Sequence, residues 1–121
     1  MVDCHATLAT RERQRRWNEA LTAYREAWAA QERFDPATRE VAAGPRGRSA
    51  KEQAKLDDRF GDYLVATCNA VRRVMRTPSL DLAALGAKIA LVVDERPWEL
   101  AGGERCMRVL KADARRLCSK A

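Results

Sequence analysis

The sequence has few of the residues that catalytic and metal sites need. Among its 121 residues are one histidine, His5, and four cysteines. A Ser/His/Asp or Cys/His catalytic set needs a histidine, and His5 lies in the first residues, where chains are commonly frayed. Adjacent residues such as Cys4 and His5 seldom chelate one ion, and no C-x-x-C or H-x-x-x-H spacing supports them. We therefore expect no enzyme activity, no metal and no cofactor.

Other chemical motifs are missing as well. Gly102-Gly103 has no following Lys-Ser/Thr and no preceding strand, so it does not form a phosphate loop. The paired carboxylates Asp57-Asp58 and Asp94-Glu95 are typical of a helix surface and of a polar connector. An enzyme is accordingly the least favoured reading of the sequence.

Long hydrophobic runs are also absent. The longest apolar run is residues 89–93, far shorter than the roughly 20 residues of a membrane-spanning helix. The N-terminus lacks the basic and apolar regions of a secretory signal. The four cysteines, Cys4, Cys68, Cys106 and Cys118, are scattered, which favours free and mostly buried thiols in a reducing compartment. We expect a cytoplasmic protein that does not enter a membrane.

Apolar residues recur at spacings of three and four along most of the chain, which is typical of amphipathic helices. With 46% hydrophobic and 33% charged residues, the chain suits one folded domain over residues 1–121. The pattern predicts an all-α fold with helices at about 8–34, 50–76, 80–93 and 103–118, and a flexible loop over residues 41–48.

Local signals support these boundaries. Asp35-Pro36 is expected to end the first helix, and Thr77-Pro78 the second, because the residue before proline disfavours the α region. Ser49 and Glu52 match a capping box. Ser79 is expected to cap the third helix, and Gly102-Gly103 marks the break before the last one.

Two long helices joined by one loop predict an antiparallel hairpin, against which the two shorter C-terminal helices pack. The inner face of the third helix is expected to contain Leu82, Leu85, Ile89 and Val92. That of the last helix is expected to contain Met107, Leu110, Ala114 and Leu117. A second copy of the chain, forming a homodimer, is the alternative cover for any apolar surface that the short helices leave open.

The positive charge is the main candidate feature for function. The net charge is +6, and an antiparallel hairpin would bring the basic start of the first helix beside the basic end of the second. A phosphate-binding face and an ordinary solvated helix surface are the two readings of these residues. The first-helix arginines oppose the helix dipole and have no evident local role. The candidate residues are Arg11, Arg13, Arg15, Arg16, Arg72, Arg73, Arg76, Arg105, Arg108, Lys111, Arg115 and Arg116.

Trp98 is the other candidate, because it lies in the connector just before the glycine pair. A large aromatic residue in that position either plugs the open end of a helical bundle or is displayed as an interface anchor. The plug is the favoured interpretation.

Several segments form a recognisable pattern: Thr77 to Leu85, Lys88, Trp98 to Leu100, Gly102 to Glu104 and Asp113 to Leu117. On these segments the chain resembles a family of short hypothetical proteins of alphaproteobacteria. The resemblance covers about residues 77–117, and more loosely 17–35, and leaves out the central loop. That family has no assigned activity, so no functional residue is carried over from it. Its members are similar to the accessory cargo of phages and mobile elements, which implies a role against or alongside host machinery.

The sequence therefore predicts a non-enzymatic protein-interaction module. We expect it to bind a protein partner, such as a nucleic-acid-binding complex, as an inhibitor or regulator of host defence or nucleic-acid-processing machinery. The alternative is a small basic protein that binds nucleic acid directly.

Overall fold

A computed structural model describes residues 4–42 and 49–119, with the side chains of residues 8–34 and 49–119. The fold is all-α, as predicted: a long hairpin of two helices followed by two shorter helices. The helices are α1 (Cys4–Ala42), α2 (Ala50–Arg76), α3 (Leu82–Glu95) and α4 (Gly103–Cys118), and a 3-10 turn (Pro97–Glu99) lies between the last two.

The two long helices run antiparallel. Near the start of α1, Glu19 lies 3.7 Å from Arg73 at the end of α2. At the other end of the hairpin, the rings of Phe34 and Phe60 stack with centroids 6.2 Å apart. Low-numbered residues of α1 thus meet high-numbered residues of α2, which confirms the predicted hairpin.

The hydrophobic core lies where α1 begins and α2 ends. All four helices supply buried side chains to it, because α3 and α4 pack against this part of the hairpin. At the other end of the described hairpin, α1 and α2 contact each other through the rings of Phe34, Phe60 and Tyr63. The buried core cluster consists of Trp17, Ala20, Val71, Val74, Met75, Ala84, Leu91 and Cys106.

The bounds of α2 and α4 agree with those read from the sequence. The Ser49 hydroxyl accepts a hydrogen bond from the Glu52 amide at 3.1 Å, which satisfies one of the open donors of the first turn of α2. Gly102 precedes α4 in the left-handed conformation, with φ of 76°, which glycine adopts without steric cost. The Ser49 cap and the Gly102 turn each act next to the helix that they precede, so the start of α2 and the start of α4 can be read from the sequence.

The expected end of the first helix is wrong. The helix starts at Cys4 and continues through Pro36 to Ala42. An interior proline removes one backbone hydrogen bond and crowds the preceding turn. The residues that follow Pro36 are mostly good helix formers, so they continue the helix beyond it. Val41 and Ala42 of the predicted loop are therefore helical, and the rest of that loop, residues 43–48, lies outside the described residues.

The third helix is rotated relative to the expected face. Its N-cap is Asp81, whose carboxylate accepts from the Ala84 amide at 2.8 Å, and not Ser79, which is buried. Leu82 and Ile89, both predicted to face inward, are 58% and 51% exposed. The buried residues of α3 are Ala84, Leu85, Lys88 and Leu91.

The end of α3 lies beyond the predicted position. The helix continues to Glu95, so the predicted polar connector is partly helical. The Tyr24 hydroxyl donates to the Glu95 carboxylate at 2.8 Å and joins α1 to this last turn. Burial raises the pKa of Tyr24 above its ordinary value, and this hydrogen bond to a carboxylate raises it further.

None of the described helices is both long and apolar enough to cross a membrane.

Two glycines offer a matched test of the packing around α4. A Cβ atom on Gly103 would lie 2.8 Å from the Trp98 backbone and closer still to the Pro97 carbonyl oxygen, whereas one on Gly61 would meet nothing within 4 Å. We expect Gly103→Ala to lower the free energy of unfolding by about 2 kcal/mol or more. Gly61→Ala, in the interior of α2, should raise it by about 0.5–1 kcal/mol. Urea unfolding followed by circular dichroism measures both, and equal effects would contradict the close approach at Gly103.

Candidate interaction sites

A buried ion pair lies between α3 and α4. The ammonium Nζ of Lys88 is 2.5 Å from the Asp113 Oδ2, and both side chains are almost completely buried, at 0% and 2% exposed. Lys88 also donates to the Met75 carbonyl oxygen at 3.1 Å and lies 6.0 Å from the centroid of the Trp17 ring. Lys88, on α3, thus contacts residues of each of the three other helices.

The turn between α2 and α3 completes this network. The Ser79 hydroxyl and amide donate to Asp113 Oδ2 at 2.8 and 3.2 Å. The Arg116 guanidinium donates to the Ser79 carbonyl oxygen and lies 3.3 Å from Asp113 Oδ1. The network of Ser79, Lys88, Asp113 and Arg116 therefore links this turn to α3 and α4.

Burial and hydrogen bonding together set the pKa values of the two side chains. Desolvation lowers the pKa of Lys88 below its ordinary value, and the attraction of Asp113 only partly offsets it. For Asp113, burial raises the pKa, but the hydrogen bonds from Lys88 and Ser79 outweigh burial and hold the pKa below its usual value. The carboxylate is thus stabilised in its charged form by the donors around it.

The sequence interpretation missed this network because charged residues were assigned to the solvent face. The buried residues of α4 are Gly103, Cys106 and Asp113, whereas the four residues predicted to face inward are only half-buried. The spacing held a signal: Asp113 follows Cys106 by seven residues, and so lies on the same face.

Two of the four first-helix arginines, Arg15 and Arg16, form ion pairs within α1, contrary to expectation. Arg15 pairs with Glu12 at 2.5 Å and with Glu19 at 2.7 Å, and Arg16 lies 3.2 Å from Glu12. The hydrogen bond from Arg15 lowers the pKa of Glu12 most, and the one from Arg16 lowers it further. The charge at the start of α1 is therefore partly compensated within α1. Among the described residues, no carboxylate pairs with the exposed Arg11 and Arg13.

The arginines at the end of α2 point in different directions. Arg73 reaches Glu19 of α1, whereas Arg72 donates to a side chain one turn earlier on α2. Arg76 lies against the start of α4, since a Cβ atom on Gly102 would be 2.6 Å from its guanidinium. These three residues thus contact three different parts of the protein: α1, α2 and the start of α4.

A cleft nevertheless joins basic residues from two helices. Its volume is about 390 Å³, and it is lined by Arg13 and Arg16 of α1, by Arg116 of α4 and by the turn of residues 77–80. The structure thus places the start of α1 beside the end of α2, as predicted, and adds the end of α4. We call this space the arginine cleft.

The outer face of α4 carries the remaining basic candidates. They are all exposed, and within residues 8–34 and 49–119 no carboxylate lies within ion-pair distance of them. We call these residues the α4 basic face: Arg105, Arg108, Lys111 and Arg115.

The outer face of α3 is apolar. Leu82, Ile89 and Val93 are 58%, 51% and 72% exposed, and Gly86 lies between them on the same face. The only charged residue between Leu82 and Val93 is Lys88, which is buried. We call Leu82, Gly86, Ile89 and Val93 the apolar stripe. Sequence analysis missed it because it assigned two of its members to the core.

Trp98 does not plug the bundle. Its side chain is 46% exposed, and the Arg96 guanidinium lies 5.6 Å from its ring centroid. The buried residue of this turn is Pro97.

The described cysteines are free thiols, as expected, but only one of them is buried. Cys106 lies in the core, Cys68 is half-buried and Cys118 is exposed. The side chain of Cys4 lies outside the described residues.

Within the described part of the chain, no group of three or more His, Cys, Asp or Glu side chains is arranged to hold a metal ion. In comparisons with known proteins, no protein-family model, curated protein or solved structure matches the chain.

The buried pair predicts a strongly coupled double-mutant cycle. Lys88→Met and Asp113→Asn should each lower the free energy of unfolding by about 3–5 kcal/mol, because each leaves a charge buried without its partner. The double variant should lose about 2 kcal/mol less than the sum of the two. Chemical denaturation of the four proteins measures the coupling.

An exposed ion pair of the same length provides the control. Arg15 and Glu12 also approach to 2.5 Å, but their side chains are 58% and 44% exposed. Glu12→Gln should change the stability little, because water screens this pair. Additive effects of Lys88→Met and Asp113→Asn would show that the two side chains do not interact.

Proposed function

We propose that this protein is a non-enzymatic interaction protein that binds a protein partner through the apolar stripe on α3. The observation that carries the proposal is the exposure of Leu82, Ile89 and Val93 on a helix face without an exposed charge. A contiguous apolar patch on a protein surface commonly marks an interaction site.

The spacing of the stripe suits a helical occupant. Leu82, Gly86, Ile89 and Val93 follow one another at intervals of four, three and four residues, which is the seam that one helix offers to another. Gly86 has no side chain, and a Cβ atom there would meet nothing within 4 Å. A partner side chain can therefore enter the stripe at its centre.

The charges at the two ends of the stripe indicate the chemistry of the partner. Asp81 precedes the stripe and Asp94 follows it, and both are exposed. Among the described residues, neither side chain forms an ion pair. An amphipathic helix with an apolar seam and lysine or arginine at its ends would complement this surface.

The same charges disfavour a symmetric homodimer through this stripe. Two copies of α3 packed about a two-fold axis would bring Asp81 and Asp94 of one copy close to those of the other. Like charges at an interface oppose association.

The resemblance to alphaproteobacterial cargo proteins supports a biological setting for this binding. We infer that the protein is encoded by a phage or mobile element and inhibits or regulates host defence or nucleic-acid-processing machinery. Its free thiols support a reducing compartment, and we place it in the cytoplasm.

Substitutions in the stripe test this proposal. Ile89→Asp and Val93→Asp should each weaken binding of a synthetic amphipathic helix with an apolar seam and terminal lysines by about tenfold or more. The matched control is Val65→Asp on α2, because Val65 is also exposed, at 58%. This variant should bind the peptide as tightly as the original protein does. Fluorescence anisotropy of the labelled peptide measures the affinity.

Two further measurements distinguish the basic helix from an acidic helix and from a second copy of the chain. A peptide with terminal glutamates in place of the lysines should bind more weakly, because it meets Asp81 and Asp94. Light scattering should show a monomer. A dimer that Ile89→Asp dissociates would instead identify a second copy as the occupant, and equal binding by the Ile89→Asp and Val65→Asp variants would overturn the proposal.

Direct nucleic-acid binding is a second candidate, favoured by the α4 basic face. Its four exposed cations have no carboxylate partner within the described residues, so their charge is available to phosphates. Contacts of this kind are independent of sequence and weaken steeply with salt, because phosphate binding releases counterions.

The salt dependence of duplex DNA binding tests this candidate. The triple variant Arg108→Gln/Lys111→Gln/Arg115→Gln should lower the slope of log affinity against log salt by about 2–3. The control Lys51→Gln/Lys55→Gln/Arg59→Gln removes the same charge from the exposed surface of the first half of α2 and should leave the slope unchanged. Undetectable binding at low salt would exclude this function.

A further inference from the structure

The arginine cleft has the dimensions of a small-ligand site. Its volume of about 390 Å³ falls in the usual range of ligand pockets, roughly 300–1,000 Å³. Arg13, Arg16 and Arg116 bring positive charge to it from two helices. Pro78, Leu80 and Leu117 supply an apolar wall.

The carboxylates next to the cleft do not neutralise these arginines. Glu12, which binds Arg16, also binds Arg15 at 2.5 Å. Asp113, which lies 3.3 Å from Arg116, is bound more closely by Lys88 at 2.5 Å. Each carboxylate is thus shared between two cations, although Arg15 is also paired with Glu19 at 2.7 Å. The excess positive charge of the cleft therefore comes mainly from Arg116 and from Arg13.

The third arginine has no such neighbour. Arg13 is exposed, and no carboxylate pairs with it among the residues that the structure describes. It lies three residues before Arg16 on α1, so the two side chains lie on the same face of the helix. Two neighbouring guanidinium groups can hold several oxygens of one phosphate.

Arg116 is held in position for such a ligand. Its Nη2 contacts Asp113 and donates to the Ser79 carbonyl oxygen, and both of these partners are buried. A guanidinium fixed by buried groups loses little conformational entropy when a ligand binds. This separates Arg116 from the arginines of the α4 basic face, which are not fixed by such contacts.

We propose that the arginine cleft binds a phosphomonoester with an apolar body, with the phosphate on Arg13, Arg16 and Arg116 and the body against Pro78, Leu80 and Leu117. Such a group is present in a small phosphorylated metabolite and at the 5′ end of a nucleic-acid strand. This site is separate from the apolar stripe, so the inference does not depend on the proposed function.

Calorimetric titration of the full chain tests the site. Phenyl phosphate should bind about tenfold more tightly than inorganic phosphate, because only the former has an apolar body to place against the wall. Arg13→Gln/Arg16→Gln should weaken phenyl phosphate binding by about tenfold or more, since charge-assisted hydrogen bonds are lost. Both residues are exposed, so the variant leaves the buried network intact.

The control variant is Arg105→Gln/Arg108→Gln, which removes the same charge from the α4 basic face. It should bind phenyl phosphate as the original protein does. Equal weakening in both double variants would show that overall charge, and not the cleft, attracts the phosphate. No heat of binding at about 10 mM phenyl phosphate and low salt would also overturn the proposal.

Two further ligands distinguish the sources of the phosphate. Adenosine monophosphate represents a metabolite, and a short single strand with a 5′ phosphate, compared with the same strand ending in a 5′ hydroxyl, represents a nucleic-acid end. Binding of either phosphate ligand that depends on Arg13 and Arg16 supports the cleft. The opposite outcome is that the two strands bind equally and that Arg105→Gln/Arg108→Gln weakens both. The phosphate contacts would then belong to the α4 basic face, and the cleft proposal would be overturned.

Discussion

The Lys88–Asp113 ion pair determines how the C-terminal helices meet the hairpin. A buried charge without a partner costs several kcal/mol, so α3 has to adopt the rotation that brings Lys88 to Asp113 at 2.5 Å. Apart from Lys88, the residues of α3 before Asp94 are all apolar or glycine. No other polar residue in this stretch therefore determines which face of α3 turns toward the core. The exposure of Leu82, Ile89 and Val93 follows from this constraint, because they lie on the face that α3 turns away once Lys88 is buried.

The buried network also reaches the surface through Arg116. This residue binds Asp113 and the Ser79 carbonyl oxygen inside the protein and lines the arginine cleft. Ser79 has a similar double position, because it donates to Asp113 and belongs to the turn that lines the cleft. The geometry of the cleft is thus set by the same hydrogen bonds that hold α4 against α3. Loss of the ion pair would disturb both the core and the cleft.

The sequence predicts the bounds of α2 and α4 from local signals, although the equally local Asp35-Pro36 and Ser79 signals gave wrong helix ends. It misses the contacts that depend on tertiary packing. The bounds of α2 follow from the Ser49 cap and the Thr77-Pro78 stop, which act within one or two turns. The face of α3 does not follow from its own sequence, because a nearly uniform apolar helix has a weak periodic signal. The convergence of basic residues on the cleft could be predicted in outline from the antiparallel hairpin. The pairing of Arg15 and Arg16 with Glu12 could have been found from their spacing of three and four residues.

The two kinds of surface on this protein differ in charge, and this difference bears on what each can bind. The exposed part of α3 is apolar and ends in carboxylates at Asp81 and Asp94, although the chain as a whole carries a net charge of +6. The positive excess lies instead in the arginine cleft and on the α4 basic face. A polyanion would be repelled by the ends of the apolar stripe and attracted to α4, and a basic amphipathic helix would show the opposite preference. The apolar stripe therefore favours a positively charged ligand, whereas the arginine cleft and the α4 basic face favour a negatively charged one. A single ligand that binds both kinds of surface is the least favoured arrangement.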